Sequence, residues 1–164
     1  MSNAREIRCY DYVNHAFEKV RAALASDAAR VFQAATRAAS ARAQSVATAL
    51  RVNLAGIEVG ADVVITVGAM TDVPKITKLG PGARLPIEWK AAKAPRLFPV
   101  MHAELSIYPL SAGETQLDFH GTYEPPLGIL GGAVDALVGH KLAEASVHRL
   151  VTDVAQHLRT TLGG

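Results

Sequence analysis

A single cysteine, Cys9, stands among the 164 residues, so no internal disulfide forms and no cysteine-based zinc site can be assembled. Aromatic residues are few as well: one tryptophan, four tyrosines and four phenylalanines. That scarcity speaks against the stacking platform by which proteins hold single-stranded nucleic acid. Neither charge sign dominates, since 17 Lys and Arg face 15 Asp and Glu for a net charge of +2. A protein whose main task is neutralising phosphates needs a larger basic excess, and no nucleic-acid partner is expected. Stable membrane insertion is not expected either, because no apolar run is long enough to span a bilayer and no basic-then-apolar leader opens the chain. The expected location is the cytoplasm. The chain also lacks a G-x-S-x-G elbow, a Walker loop, an H-E-x-x-H pair and a G-x-G-x-x-G after a strand.

Small apolar residues are what the chain has in quantity. Hydrophobic types make up 49% of it, and 29 residues are alanine. The length suits one domain with a real core, placed here at residues 5–162 with no second linker or internal repeat.

Residues 5–13 are rich in β-favouring types and predict a strand. Asn14 is the expected N-cap of a helix carrying Phe17, Val20 and Leu24, and a second helical stretch carries Val31 and Phe32. Residues 22–49 hold 13 alanines and read as helix plus connector. The period then changes to two, through Val52 to Val59 and, after a turn at 60–62, Val63, Ile65 and Val67. The prolines and glycines around 72–74 and 80–82 are expected to break the run, with at most a short strand between.

Three longer strands follow with clean alternation. Leu85, Ile87, Trp89 and Ala91 oppose Arg84, Glu88 and Lys90. Met101, Ala103, Leu105 and Ile107 oppose His102, Glu104, Ser106 and Tyr108. Leu117, Phe119, Gly121 and Tyr123 oppose Gln116, Asp118, His120 and Thr122, with a hairpin at 111–114 between the last two strands. One apolar and one wet face define an antiparallel sheet covered on one side only. Pro125 and Pro126 stop the last strand, and from about 127 to 162 the period is helical. Ala143, Val147, Leu150, Val154 and Leu158 form its stripe, with Glu144, Arg149, Asp153 and Arg159 placed away from it.

This order of elements, with Asn14 to Val20 behind the opening strand and Gly121 to Gly128 before the last helix, resembles the START/polyketide cyclase-like (SRPBCC, Bet v 1-like) superfamily over nearly the whole chain. The resemblance implies an α+β helix-grip fold: a curved antiparallel sheet of about six or seven strands wrapped around a long C-terminal helix, with two short helices after strand 1. It also implies an apolar cavity between sheet and helix, since members bind lipids, sterols, aromatic polyketides or hormones and a minority do chemistry on them. The expected ligand is a small hydrophobic molecule, and the expected cavity wall is Leu85, Ile87, Trp89, Met101, Ala103, Leu105, Ile107, Leu117, Phe119 and Tyr123.

Polar candidates are thin on that wall. Tyr123 offers a hydroxyl and Trp89 an indole N–H, with Tyr10 or Tyr12 as a further donor. No carboxylate or histidine is placed inside, so no catalytic residue is assigned, and no cofactor or metal is expected. His140, Glu144 and His148 stack at helical spacing, and read as an exposed helix edge before they read as metal ligands. His102, Glu104, Asp118 and His120 share the polar face of adjacent strands and are expected to face solvent. Cys9 reads as a small buried hydrophobe. Gly128 to Gly132 suits a helix start near a sheet, and the cations Lys19, Arg21, Arg30, Arg37, Arg42 and Arg51 read as a solvated face. Three readings stay open: a binder or carrier, a cyclase/dehydrase-like enzyme on an aromatic substrate, and an interaction module with a filled core, working as a homodimer.

Overall fold

A computed structural model describes residues 4–26, 28–33, 63–78, 80–91, 100–123 and 133–163. The expected strands within 48–59, the turn at 60–62, the glycine run at 128–132, and Arg37, Arg42 and Arg51 lie outside these residues.

Among the described residues six strands form one antiparallel sheet: β1 (Arg5–Val13), β2 (Val63–Val67), β3 (Thr71–Thr77), β4 (Gly80–Ala91), β5 (Met101–Ser111) and β6 (Glu114–Tyr123). Their spatial order is β1-β6-β5-β4-β2, and β3 pairs with the other half of β4. Residues 17–26 (α1) and 28–33 are helical, and α2 (Ala133–Thr161) closes the chain. This is the α+β helix-grip architecture. At 1.5 Å per residue α2 is about 43 Å long, enough to cross the sheet.

The alternation of strand side chains sorts as expected. Leu85, Ile87 and Trp89 of β4, Met101, Ala103, Leu105 and Ile107 of β5, and Leu117, Phe119 and Tyr123 of β6 are all buried. Ile7, Cys9 and Val13 of β1 continue the same inner face. Against it lie Val147, Leu150, Val151, Val154, Ala155 and Leu158 of α2, and Val20, Leu24, Val31 and Phe32 of the shorter helical segments. Register pins the layers: Leu105 sits opposite Phe119 and Leu85, and Phe119 opposite Cys9. A slip of one residue would turn this entire set to solvent.

Two local expectations change. The Ala16 carbonyl accepts from the Lys19 and Val20 N–H groups (3.0 and 3.2 Å), so Ala16 holds the N-cap position of α1 and Asn14 lies outside it, exposed. The proline- and glycine-rich stretch does not break the sheet but builds β3 and the start of β4. Pro74 falls where the β3–β4 register shifts, between Val73 and Thr77, so its missing N–H interrupts no regular ladder. Gly80 adopts φ 113°, the conformation that lets the chain turn from β3 into β4.

Candidate functional site

The inner wall is built in cross-strand rows. Ile65, Trp89, Met101 and Tyr123 form one row across β2, β4, β5 and β6, and Leu85, Leu105, Phe119 and Cys9 form another across β4, β5, β6 and β1. Between them runs a row of smaller groups, Val67, Ile87, Ala103 and Gly121, which ends on Ile7. Phe119 and Met101 lean into the space that Gly121 leaves: a Cβ there would lie 3.0 Å from Phe119 Cε1 and 3.1 Å from Met101 Sδ. All ten expected wall residues are therefore on one face and shielded from water.

The helix covers this wall unevenly. Among the described residues α2 makes its closest backbone approach to β1 and a sparser one to β6. Tyr123 is fully shielded, and burial pushes its phenol pKa up, which keeps it a neutral hydroxyl at physiological pH. Tyr10 and Tyr12 do not belong here. They are 71% and 50% exposed on the outer face, because their even positions in β1 point away from Ile7, Cys9 and Val13.

Where α2 meets β1, polar contacts run from His148 to Cys9 and from Arg159 to Asp11 and Tyr12. His148 Nδ1 lies 3.4 Å from Cys9 Sγ, so this histidine turns to the first strand. Burial, with smaller contributions from Asp11 and Asp118, raises the Cys9 pKa, and the group is a neutral thiol rather than a nucleophilic thiolate. The His140 side chain lies outside the described ones, and among the described residues no three metal-ligating side chains converge. Asp153, expected on the solvent side, is only 18% exposed. Its Oδ2 is sealed from solvent, with Arg149 Nε at 2.9 Å in an approach outside hydrogen-bond geometry. Burial raises the Asp153 pKa and the Arg149 charge offsets part of that rise. The periodicity missed this residue because the buried sector of α2 extends past Leu150 to Ser146, a wider arc than the apolar stripe alone marks.

The outer face carries the other constellation. His102, Glu104 and His120 line one depression of about 550 Å³, together with Thr66, Glu88 and Thr122. His102 lies 3.6 Å from Glu88, and His120 lies 3.8 Å from Glu6. Asp118 departs from the expected exposure. It is 9% exposed, covered by Arg8 (Nη2 to Oδ2 3.2 Å) and by the Tyr108 hydroxyl, which donates to it at 3.4 Å. Gln116 donates in turn to the Tyr108 hydroxyl at 2.9 Å. At the far edge, Arg21 of α1 grips Asp72 of β3 through two 2.8 Å hydrogen bonds, which keep the Asp72 carboxyl below its usual range.

No family model and no curated protein matches the chain. Solved structures do. An aromatase/cyclase from Streptomyces sp. R1128 aligns over 99% of this chain and 98% of its own, at 11% identity and a TM-score of 0.52. Norcoclaurine synthase from Thalictrum flavum aligns over 98% of this chain and 90% of its own, at 9% identity and a TM-score of 0.45. Ara h 8.0201 aligns over 97% of this chain and the whole of its own, at 6% identity and a TM-score of 0.48. The chain thus shares the helix-grip fold of the aromatase/cyclase. At these identities the likeness is one of fold. No helix among the described residues is long and apolar enough to cross a membrane.

Proposed function

We propose that this protein binds a small hydrophobic molecule between the inner face of the sheet and α2. The observation that carries the reading is the continuous apolar inner face of the sheet, whose largest side chains are Trp89, Phe119, Tyr123 and Met101. Such a wall suits an apolar ligand held by shape and dispersion, with the Tyr123 hydroxyl and the Trp89 N–H as orienting groups. The Streptomyces aromatase/cyclase supplies the same fold. An enzyme reading needs a titratable group reaching the ligand, and the wall residues offer only the neutral Tyr123 hydroxyl.

Native mass spectrometry of protein purified from its own source tests this. A reproducible adduct is expected, and Met101→Trp should abolish it while leaving the circular dichroism spectrum unchanged. Persistent absence of any adduct, together with no thermal stabilisation by a panel of fatty acids and polycyclic aromatics, would establish the filled-core reading instead.

A further inference from the structure

β1 is the last strand of the sheet, and one of its edges has no strand beside it among the described residues. Its ladder to β6 runs without a shift from Arg5 to Val13, so backbone groups point alternately toward β6 and away from it. Tyr12 marks the outward set, because both its polar groups are met by side chains. The Tyr12 N–H donates to Asp11 Oδ1 at 2.7 Å, and its carbonyl accepts from Arg159 Nη2 at 2.6 Å. By alternation Glu6, Arg8 and Tyr10 also point outward, and no hydrogen bond among the described residues reaches their outward backbone. Among the described residues the edge is therefore closed at one end by the Asp11–Arg159 clamp and open from Glu6 to Tyr10. An uncovered edge of this kind is a template for another strand.

We propose that the open edge of β1 pairs antiparallel with β1 of a second copy of this chain, about a two-fold axis at Ile7. The charges choose that register. An axis at Ile7 sets Glu6 opposite Arg8 twice and Ile7 opposite Ile7, with each Glu6–Arg8 pair exchanging both backbone hydrogen bonds. An axis at Arg8 would set two guanidinium groups face to face, which disfavours it. An axis at Cys9 would bring Glu6 against Tyr12, whose backbone is already taken by the clamp. Arg8 can serve both partners: it meets Asp118 on its own chain, yet its side chain is 69% exposed, leaving donors of its fork for a second carboxylate. Glu6 holds its own His120 only loosely, at 3.8 Å, and is 75% exposed. The contact is isologous, joining the two sheets into one across the axis.

Glu6→Pro is the decisive variant. Proline is tolerated on an edge strand where its missing N–H would face solvent, so the monomer should fold with an unchanged circular dichroism spectrum. Sedimentation velocity over a concentration series should show a monomer–dimer equilibrium for the wild type and at least a tenfold (~10×) weaker one for Glu6→Pro. Hydrogen exchange on the wild type supplies an independent reading, in which the Glu6 and Arg8 amides gain protection with concentration and the Thr71 amide does not. A wild type that stays monomeric at every concentration overturns the proposal. So does a dimer that survives Glu6→Pro, or one whose Glu6 and Arg8 amides exchange freely.

Discussion

The Arg159 guanidinium meets the Asp11 carboxylate at 2.6 Å across 148 residues of chain, fastening the last turn of α2 to the end of β1. The same side chain donates to the Tyr12 carbonyl and lies over the Tyr12 ring at 5.1 Å from its centroid. Both charged groups are roughly three-quarters buried, with side chains 25% and 22% exposed, so the pair is screened less than a surface bridge.

Arg159→Ala should therefore cost about 1–3 kcal/mol, the range for charge-assisted hydrogen bonds left without a partner. Urea denaturation measures it. Arg159→Lys should recover only part of the loss, because an ammonium cannot contact the carboxylate, the carbonyl and the ring as a planar fork does. Full recovery by the Lys variant, to the stability of the wild type, would show that the fork geometry contributes nothing.

Gly82→Ala is expected to be among the most damaging single-methyl changes in the sheet. A Cβ at Gly82 would lie 2.6 Å from the Ile107 carbonyl oxygen, which is ladder backbone and has no room to move. It would also lie 2.6 Å from Ile76 Cγ2. Overpacking of this kind costs about 1–3 kcal/mol or more. Gly113→Ala, where a Cβ would meet nothing within 4 Å, serves as the control and should change the urea midpoint little.

Much of this fold is legible in the sequence because period two is unambiguous wherever one sheet face is buried. The alternation at 85–89, 101–107 and 117–123 placed its apolar set on the buried side, while Ala83 and Thr115, buried on the same face, went unassigned. Tyr10 and Tyr12 were open to misreading because β1 reads as mixed: aromatic types on its outer face suggest a wall that the parity of Ile7, Cys9 and Val13 denies. Pro74 looks like a breaker because composition does not reveal that, among the described residues, β3 has one strand partner and a register shift at the proline. The burial of Asp118 and Asp153 was out of reach for a different reason. Each depends on side chains that fold over it, Arg8 and Tyr108 for the first and Arg149 beside the second, and one-dimensional periodicity does not carry such contacts.

Asp153 makes the folded protein sensitive to pH in a definite direction. Burial raises its pKa, so the folded state holds this proton at pH values where the unfolded chain has released it. The folded state then binds more protons, and stability falls as pH rises from the ordinary carboxylate range through the raised pKa. Asp153→Asn, neutral at every pH, should remove that decline. The variant is expected to gain on the wild type between acidic and neutral pH in thermal melts. Parallel curves for the two proteins would show that Arg149 fully compensates the burial.

Cys9 offers a direct readout of the α2–β1 contact. Its thiol is 6% exposed beneath α2, its pKa is raised mainly by burial, and His148 Nδ1 stands 3.4 Å from the sulfur. A thiol reagent needs both access and a thiolate, and the folded protein restricts both. Labelling of the wild type should therefore be slow at neutral pH and limited by opening of the sheet–helix contact. Loosening that contact with Arg159→Ala should accelerate labelling, by up to about the factor its destabilisation implies (~5–150-fold for ~1–3 kcal/mol) if the opening is global. His148→Ala removes only the sulfur's neighbour and should leave the opening step, and so most of the protection, in place. Fast labelling of the native wild type would mean that α2 does not seal β1.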